Sequence, residues 1–195
     1  MASLAGKTAV ILGASGSANF GSAIARRLAA EGANTVVSAR RVEPLTQLAS
    51  ELGGTAVQCD VTREGDLELL FKQALETHGR VDIAVFSAGI HSGVAIADLT
   101  AEAIRPTAEI SFIGALLFFR YAAEAMRDGG SVITVSSLTA RIPGPGLAVY
   151  SAARAGIDYA IKVAAVEYGE RRVRFNSIAA GLIQTDMTDD FFAIQ

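Results

Sequence analysis

Short, almost unbroken apolar runs alternate along this chain with stretches whose apolar positions recur every three or four residues. The runs at 7–12, 34–39, 55–59, 81–87, 131–136 and 173–178 read as strands. They do not alternate apolar with polar, so they are expected to be covered on both faces, as strands of a parallel sheet are. Between them, 20–31, 43–52, 63–78, 101–126 and 149–169 carry helical periodicity. The punctuation agrees. Gly32 and the Gly53-Gly54 pair follow the first two helices, Pro44 falls in the first turn of the second, and Thr62 stands where it could cap the third. The 101–126 stretch is expected to hold one long helix that begins after Pro106. Strand–helix alternation at this spacing predicts right-handed βαβ units and an α/β fold with a doubly wound parallel sheet in three layers, α/β/α.

The long helix departs from a simple amphipathic pattern. Ile110, Phe112, Ile113, Leu116, Leu117, Phe118, Phe119 and Tyr121 cover more than one of its faces. A helix apolar nearly all round is buried on both sides. One side can lie on the sheet, and the other is expected to pack on a second copy, giving a homodimer or homotetramer through the long helices.

Composition narrows the function classes. The 195 residues fit a single domain, 1–195, large enough for its own core. Net charge is −3 with the basic residues dispersed, which is no footprint for nucleic acid. The first residues lack the pattern of a signal peptide, and no apolar run approaches the ~20 residues of a membrane span. The only cysteine, Cys59, excludes an intrachain disulfide and suits a reducing, cytoplasmic compartment. It ends a buried strand, where a thiol acts as a small hydrophobe. No His/Cys/Asp cluster has metal-ligand spacing.

The first candidate chemistry is the segment Gly13-Ala14-Ser15-Gly16-Ser17-Ala18-Asn19-Phe20-Gly21, which leaves a strand and opens a helix. Glycines there let the backbone turn tightly against a pyrophosphate, and the helix N-terminus offers free N–H groups. This is a Rossmann-type nucleotide site, with Gly13, Ser15, Phe20 and Gly21 as candidate cofactor-binding residues; the other reading is a small-residue turn. The second strand ends Ser38-Ala39-Arg40-Arg41, without an acid for a free ribose 2′-hydroxyl. A guanidinium matches a 2′-phosphate. Arg40 therefore favours NADP(H) over NAD(H), with NAD(H) still possible; the alternative is that Arg40 and Arg41 are solvated charges.

The second is a constellation. Ser137 ends the fifth strand, Tyr150 follows thirteen residues later at a helix start, and Arg154 lies four beyond, on the same helix face. A phenol ordinarily holds its proton at neutral pH, and a cation beside it favours the phenolate. His78, at a helix end, reads as a solvated cap. His91, after the fourth strand, could touch substrate.

With these residues in place, the chain resembles the short-chain dehydrogenase/reductases over nearly all its length. Further matches are Cys59-Asp60-Val61-Thr62, Phe86-Ser87-Ala88-Gly89, Ser136-Ser137 and the segment from Asn176 to Thr185. The resemblance implies that Asp60 holds the adenine amino group, that Ala88 and Gly89 flank the cofactor, and that Ile183 and Thr185 anchor the nicotinamide carboxamide. Val61, Ser87 and Gly181 join the cofactor-binding set, as do Tyr150 and Arg154. It assigns Ser137 to polarising the substrate oxygen and Tyr150 to proton transfer.

The chain also departs from the family. Arg154 stands where the family has lysine, and arginine cannot release its proton at working pH. Ser111 falls at the position of a helix asparagine that holds a relay water. Ser87 replaces an asparagine and Ala180 a proline, and the glycine loop is about two residues longer. Loop length and the Ser87 motif are similar to enoyl reductases, but Ile157 falls where their lysine would sit. The family continues past the equivalent of Gln195 through a substrate-covering segment, expected to begin here at Phe191-Phe192, and a last strand; the sequence thus reads as a fragment or as a chain with an incomplete substrate side. The expected function is NADP(H)-dependent interconversion of a carbonyl and an alcohol, acting on a small molecule. The alternative is a cofactor-binding sensor or partner subunit with little turnover.

Overall fold

The computed structural model describes residues 3–91, 93–186 and 188, so the Phe191-Phe192 expectation lies outside the described residues. Six strands form one parallel sheet: β1 Thr8–Leu12, β2 Asn34–Ala39, β3 Thr55–Gln58, β4 Ile83–Phe86, β5 Gly130–Ser137 and β6 Val173–Ala180. Their order is β3-β2-β1-β4-β5-β6. The order reverses between β1 and β4, and such a switch point opens a crevice at the carboxyl edge of the sheet.

The period of two along a strand divides the core. Val10 and Leu12 of β1 face one cluster, with Leu67, Leu70 and Phe71 of α3 (Glu64–His78), Phe118 of α5 (Gly114–Ala125) and Ile157 of α6 (Ala148–Glu167). Ala9 and Ile11 face the other, with Ala25 of α1 (Phe20–Ala30) and Leu45 and Leu48 of α2 (Val42–Leu52). Every residue of β1 is buried, as its unbroken apolar run requires. The fold is the doubly wound, three-layer α/β/α sandwich expected from the sequence, with six strands among the described residues. Over β6 the layer containing α1 and α2 gives out: Arg174, Asn176 and Ile178 are exposed.

Two local expectations are corrected. Thr62 does not cap α3: Arg63 holds the cap position without a side-chain bond. The Thr62 amide and hydroxyl instead donate to Asp60 Oδ1, at 3.1 and 2.8 Å. Nor does a helix begin after Pro106. Helix α4 (Ala101–Ala108) starts five residues before it, capped by the Thr100 hydroxyl, and carries Pro106 inside. The Thr100 cap offsets part of the cost of the backbone bond that proline removes. The long helix itself runs unbroken from Ala101 to Ala125, with every junction residue helical, but it carries a π-helical turn, Glu109–Ile113, between α4 and α5 that contains Ser111. Beyond it Gly114 presses on β3's exit, where an added Cβ would lie 2.9 Å from the Val61 carbonyl.

Candidate active site

The carboxyl ends of the strands surround a cavity of about 840 Å³. Its floor at β1 depends on two close approaches. Gly13 has φ +96°, and a Cβ there would lie 2.7 Å from the Ala88 amide; a Cβ on Gly21 would strike the Gly13 carbonyl. Ser87 donates to the Leu12 carbonyl at 2.8 Å, fastening the end of β4 to the end of β1. Asn19 caps α1 by accepting from the Ser22 amide at 2.8 Å, which sets the helix N-terminus behind the loop. Gly13, Ser15 and Phe20 line the cavity.

At the β2 end, Arg40 and Arg41 both line it. Arg41 is fastened to the glycine loop, donating to the Ser15 carbonyl at 2.9 Å and the Ser15 hydroxyl at 3.3 Å. Arg40 is held only through its backbone, whose carbonyl accepts from Gln58 at 3.0 Å. Its exposed guanidinium can turn to an anion. Cys59 lines the same end, but burial first, and then the Asp66 charge, pushes its thiol up to about 12, so it stays protonated.

Ser137, Tyr150 and Arg154 meet at the other end, with Ser87, Ala88, Gly89, Gly181, Ile183 and Thr185 along the wall between. The Ser137 hydroxyl accepts two bonds, from the Thr139 amide at 3.2 Å and the Thr139 hydroxyl at 3.0 Å. With its acceptor capacity used by Thr139, its own proton can be donated to a substrate oxygen. The Arg154 guanidinium is buried, donates through Nη2 to the Ala88 carbonyl at 3.3 Å, and sits over the Tyr150 ring at 5.1 Å. Its Nε and Nη1 are buried without a hydrogen-bond partner among the described residues. Buried guanidinium donors demand partners, and these two stand ready for oxygens entering the cavity. The His91 ring meets Tyr150 edge-on at 6.3 Å.

Three expected site residues stand back from the wall: Val61 lines the cavity, but Gly21, Asp60 and Ser111 do not. Gly21 lies beneath the loop, against Gly13. Asp60 turns to its own loop: burial opposes its ionisation, but the two Thr62 bonds and the nearby Arg40 and Arg63 outweigh this and hold its carboxyl below the usual range. Ser111 is fully buried by the π-helical turn, and an added Cβ on Gly89 would lie 3.7 Å from its hydroxyl.

Thr139 and Asp186 are among the lining residues that were not foreseen. Thr139 could have been found from its hydroxyl two places beyond Ser137. Asp186 gave no local signal. Its carboxylate accepts from the Ser17 hydroxyl and the Ala18 amide, each at 3.2 Å, and so ties the segment after β6 to the glycine loop. No group of three His, Cys, Asp or Glu able to hold a metal occurs among the described residues, and no helix there is long and apolar enough to cross a membrane.

A family model described as Enoyl-(Acyl carrier protein) reductase matches residues 13–194, from the glycine loop through the Tyr150 helix. The chain belongs to the short-chain dehydrogenase/reductase family. An uncharacterized oxidoreductase of Mycobacterium bovis is 37% identical over 189 residues, 94% of this chain and 76% of that protein. Human dehydrogenase/reductase SDR family member 4 is 34% identical over 193 residues, 95% of this chain and 69% of its own. A short-chain dehydrogenase from Burkholderia cenocepacia, solved in complex with NADP, superposes with a TM-score of 0.89 at 28% identity, covering 95% of this chain and 78% of that one. Membership in the short-chain dehydrogenase/reductases supports a general NAD(P)(H)-dependent oxidoreductase function.

Proposed function

We propose that this chain is an NADP(H)-dependent reductase or dehydrogenase that interconverts a carbonyl and an alcohol. The observation that carries the reading is the convergence of Ser137, Tyr150 and Arg154 with the glycine loop on one cavity. A dinucleotide fits the residues present. Gly13 and Gly21 clear the backbone for its pyrophosphate, and Arg154 offers Nε and Nη1 to its ribose hydroxyls. Ile183 and Thr185 would hold the carboxamide, and Asp60 is the residue for the adenine. Arg40 would take a 2′-phosphate, which favours NADP(H); the Burkholderia relative was solved with that nucleotide.

When bound, the dinucleotide supplies or accepts the hydride. The chain's own residues handle the substrate oxygen. Ser137 donates its hydroxyl proton to that oxygen and polarises the carbonyl. Tyr150 gives up its phenolic proton as the oxygen gains charge, and the Arg154 cation over its ring stabilises the phenolate that remains. Arg154 keeps its own proton throughout.

One observation favours a second reading, a cofactor binder with little turnover. Arg154 is tethered to Ala88 in place of a mobile lysine, and Ser111 is sealed from the cavity. NADPH oxidation against a panel of aldehydes and ketones separates the two. Turnover that is lost in Tyr150→Phe supports the reductase. NADPH binding without turnover, with activity appearing in Arg154→Lys, supports the binder. Absence of saturable NADPH binding overturns both.

Leu116 of α5 and Tyr159 and Val163 of α6 are exposed along a shallow groove, and Ile113 of the π-helical turn and Val166 of α6 are exposed as well. A second copy packed there would cover them, consistent with a homo-oligomer. Sedimentation of a monomer at micromolar concentration would count against it.

A further inference from the structure

Resting on the reductase reading above, Tyr150 has a need that Arg154 cannot meet. Each reduction takes one proton from its phenol to the nascent alcohol, and that proton must be replaced before the next. Arginine does not titrate at working pH. The Ser111 hydroxyl, fully buried beneath the π-helical turn, does not line the cavity.

The titratable and charged side chains that line the cavity are few. Arg40, Arg41 and Asp186 stand on the glycine-loop side, where Arg41 is bonded to Ser15 and Asp186 to Ser17. Cys59 lies at the adenine end with its thiol held protonated up to about 12. Around Tyr150 the wall carries Arg154 from the same helix α6, neutral Ser137 and Thr139 from the end of β5, neutral Leu147 from the loop before α6, and His91 from the segment after β4. Imidazole is the side chain whose ordinary range brackets neutral pH. His91 is also the one whose ring meets the phenol, edge-on at 6.3 Å.

We propose that His91 is the proton-supplying residue for Tyr150, taking the place of a relay through the helix cation. In the reducing direction, the carbonyl carbon would receive a hydride supplied by the bound dinucleotide. The phenolic O–H bond of Tyr150 breaks as the alcohol O–H forms. The imidazolium N–H of His91 then breaks to restore the phenol, directly or across one water. Neutral His91 recovers its proton from solvent. Oxidation runs the same steps backwards. His91 touches only the returning proton, so its loss spares cofactor binding.

The test uses the whole chain, with Tyr150→Phe as reference. His91→Gln keeps polarity and size but cannot titrate. NADPH affinity is expected to match wild type, kcat to fall on the order of tenfold to a hundredfold, KM to change little, and the limb of the kcat profile in the imidazole range to disappear. In His91→Ala, added imidazole is expected to restore turnover. Independently of turnover, the ultraviolet difference between each protein and its Tyr150→Phe counterpart reads the phenolate of Tyr150 alone. Its pH midpoint is expected to move in His91→Gln. An active wild type whose kcat, pH profile and phenolate midpoint are unaltered by His91→Gln overturns this assignment alone. So does a loss in His91→Ala that imidazole does not restore. A wild type that turns over no carbonyl overturns the reductase reading and this assignment with it.

Discussion

The guanidinium carbon of Arg154 lies 5.1 Å from the centroid of the Tyr150 ring, while Nη2 of the same group donates to the Ala88 carbonyl at 3.3 Å. One side chain thus ties α6 to the exit of β4 and places a fixed charge over the phenol. It also leaves Nε and Nη1 buried and, among the described residues, without hydrogen-bond partners. A buried donor without a partner costs about 1–3 kcal/mol. Arg154→Met is therefore expected to raise the thermal midpoint of the free protein while weakening NADPH binding ~10–100-fold, the effect of losing one charge-assisted hydrogen bond. Calorimetry with and without NADPH checks both signs. A variant less stable than wild type in the free state would show that the guanidinium is already satisfied.

Glycines at the loop and on the surface separate packing from propensity. A Cβ on Gly21 would strike the Gly13 carbonyl, whereas one on Gly65 in α3 meets nothing within 4 Å. Gly21→Ala must move the loop off the helix, with an expected loss of about 1–3 kcal/mol and of saturable NADPH binding. Gly65→Ala is expected to be neutral or to stabilise by up to ~1 kcal/mol. Urea unfolding of the two variants reads the contrast directly.

What could be read from the chain follows from the range of the interactions. Strand burial is a matter of composition over five or six residues, so the six strands β1 to β6 and their parallel, doubly wound sheet were legible. The lining by Gly13, Ser137, Tyr150 and Arg154 was legible too, because strand ends and helix starts share one sheet edge. The π-helical turn at Ser111 was not, since its extra residue fits around Gly114 and Val61, far apart in sequence. Asp186 reaches the glycine loop across 168 residues, and no local pattern encodes that bond. Thr62 failed as a cap because α3 starts one residue later, with Arg63 at the cap position, while the Thr62 hydroxyl donates to Asp60.

The proposed preference for NADP(H) rests on the contrast between two adjacent arginines. Arg41 is bonded to Ser15, while the exposed Arg40 guanidinium is not fastened to the loop. Arg40→Asp is expected to weaken NADPH relative to NADH ~10–100-fold, the scale of one charge-assisted contact to phosphate. Arg41→Ala should instead weaken both, by loosening the Ser15 backbone. Fluorescence titration of each variant with the two nucleotides distinguishes these outcomes, and an unchanged NADPH/NADH ratio in Arg40→Asp would remove the basis for the preference.

Acid stability is set at the opposite edge of the sheet, away from the cavity. Asp82 accepts from the Thr8 amide at 3.0 Å, from Lys7 at 2.9 Å and from two nitrogens of Arg80. Burial alone would raise its carboxyl, but the bonds from Arg80, Thr8 and Lys7 overcome that and bring it down to about 2. An unfolded aspartate titrates near ~3.9. The folded value is the lower one, so the stabilisation is complete above the unfolded value and is lost as pH falls through the folded one. Lys7 and Arg80 are each more than 40% exposed, which screens their share. Asp82→Asn is thus expected to cost about 1–2 kcal/mol at neutral pH. The gap from wild type should hold steady down to pH ~5 and then close as pH approaches the folded value. Urea unfolding of both proteins across that range checks it, and a gap that stays constant into strong acid would mean the loss comes from packing rather than charge.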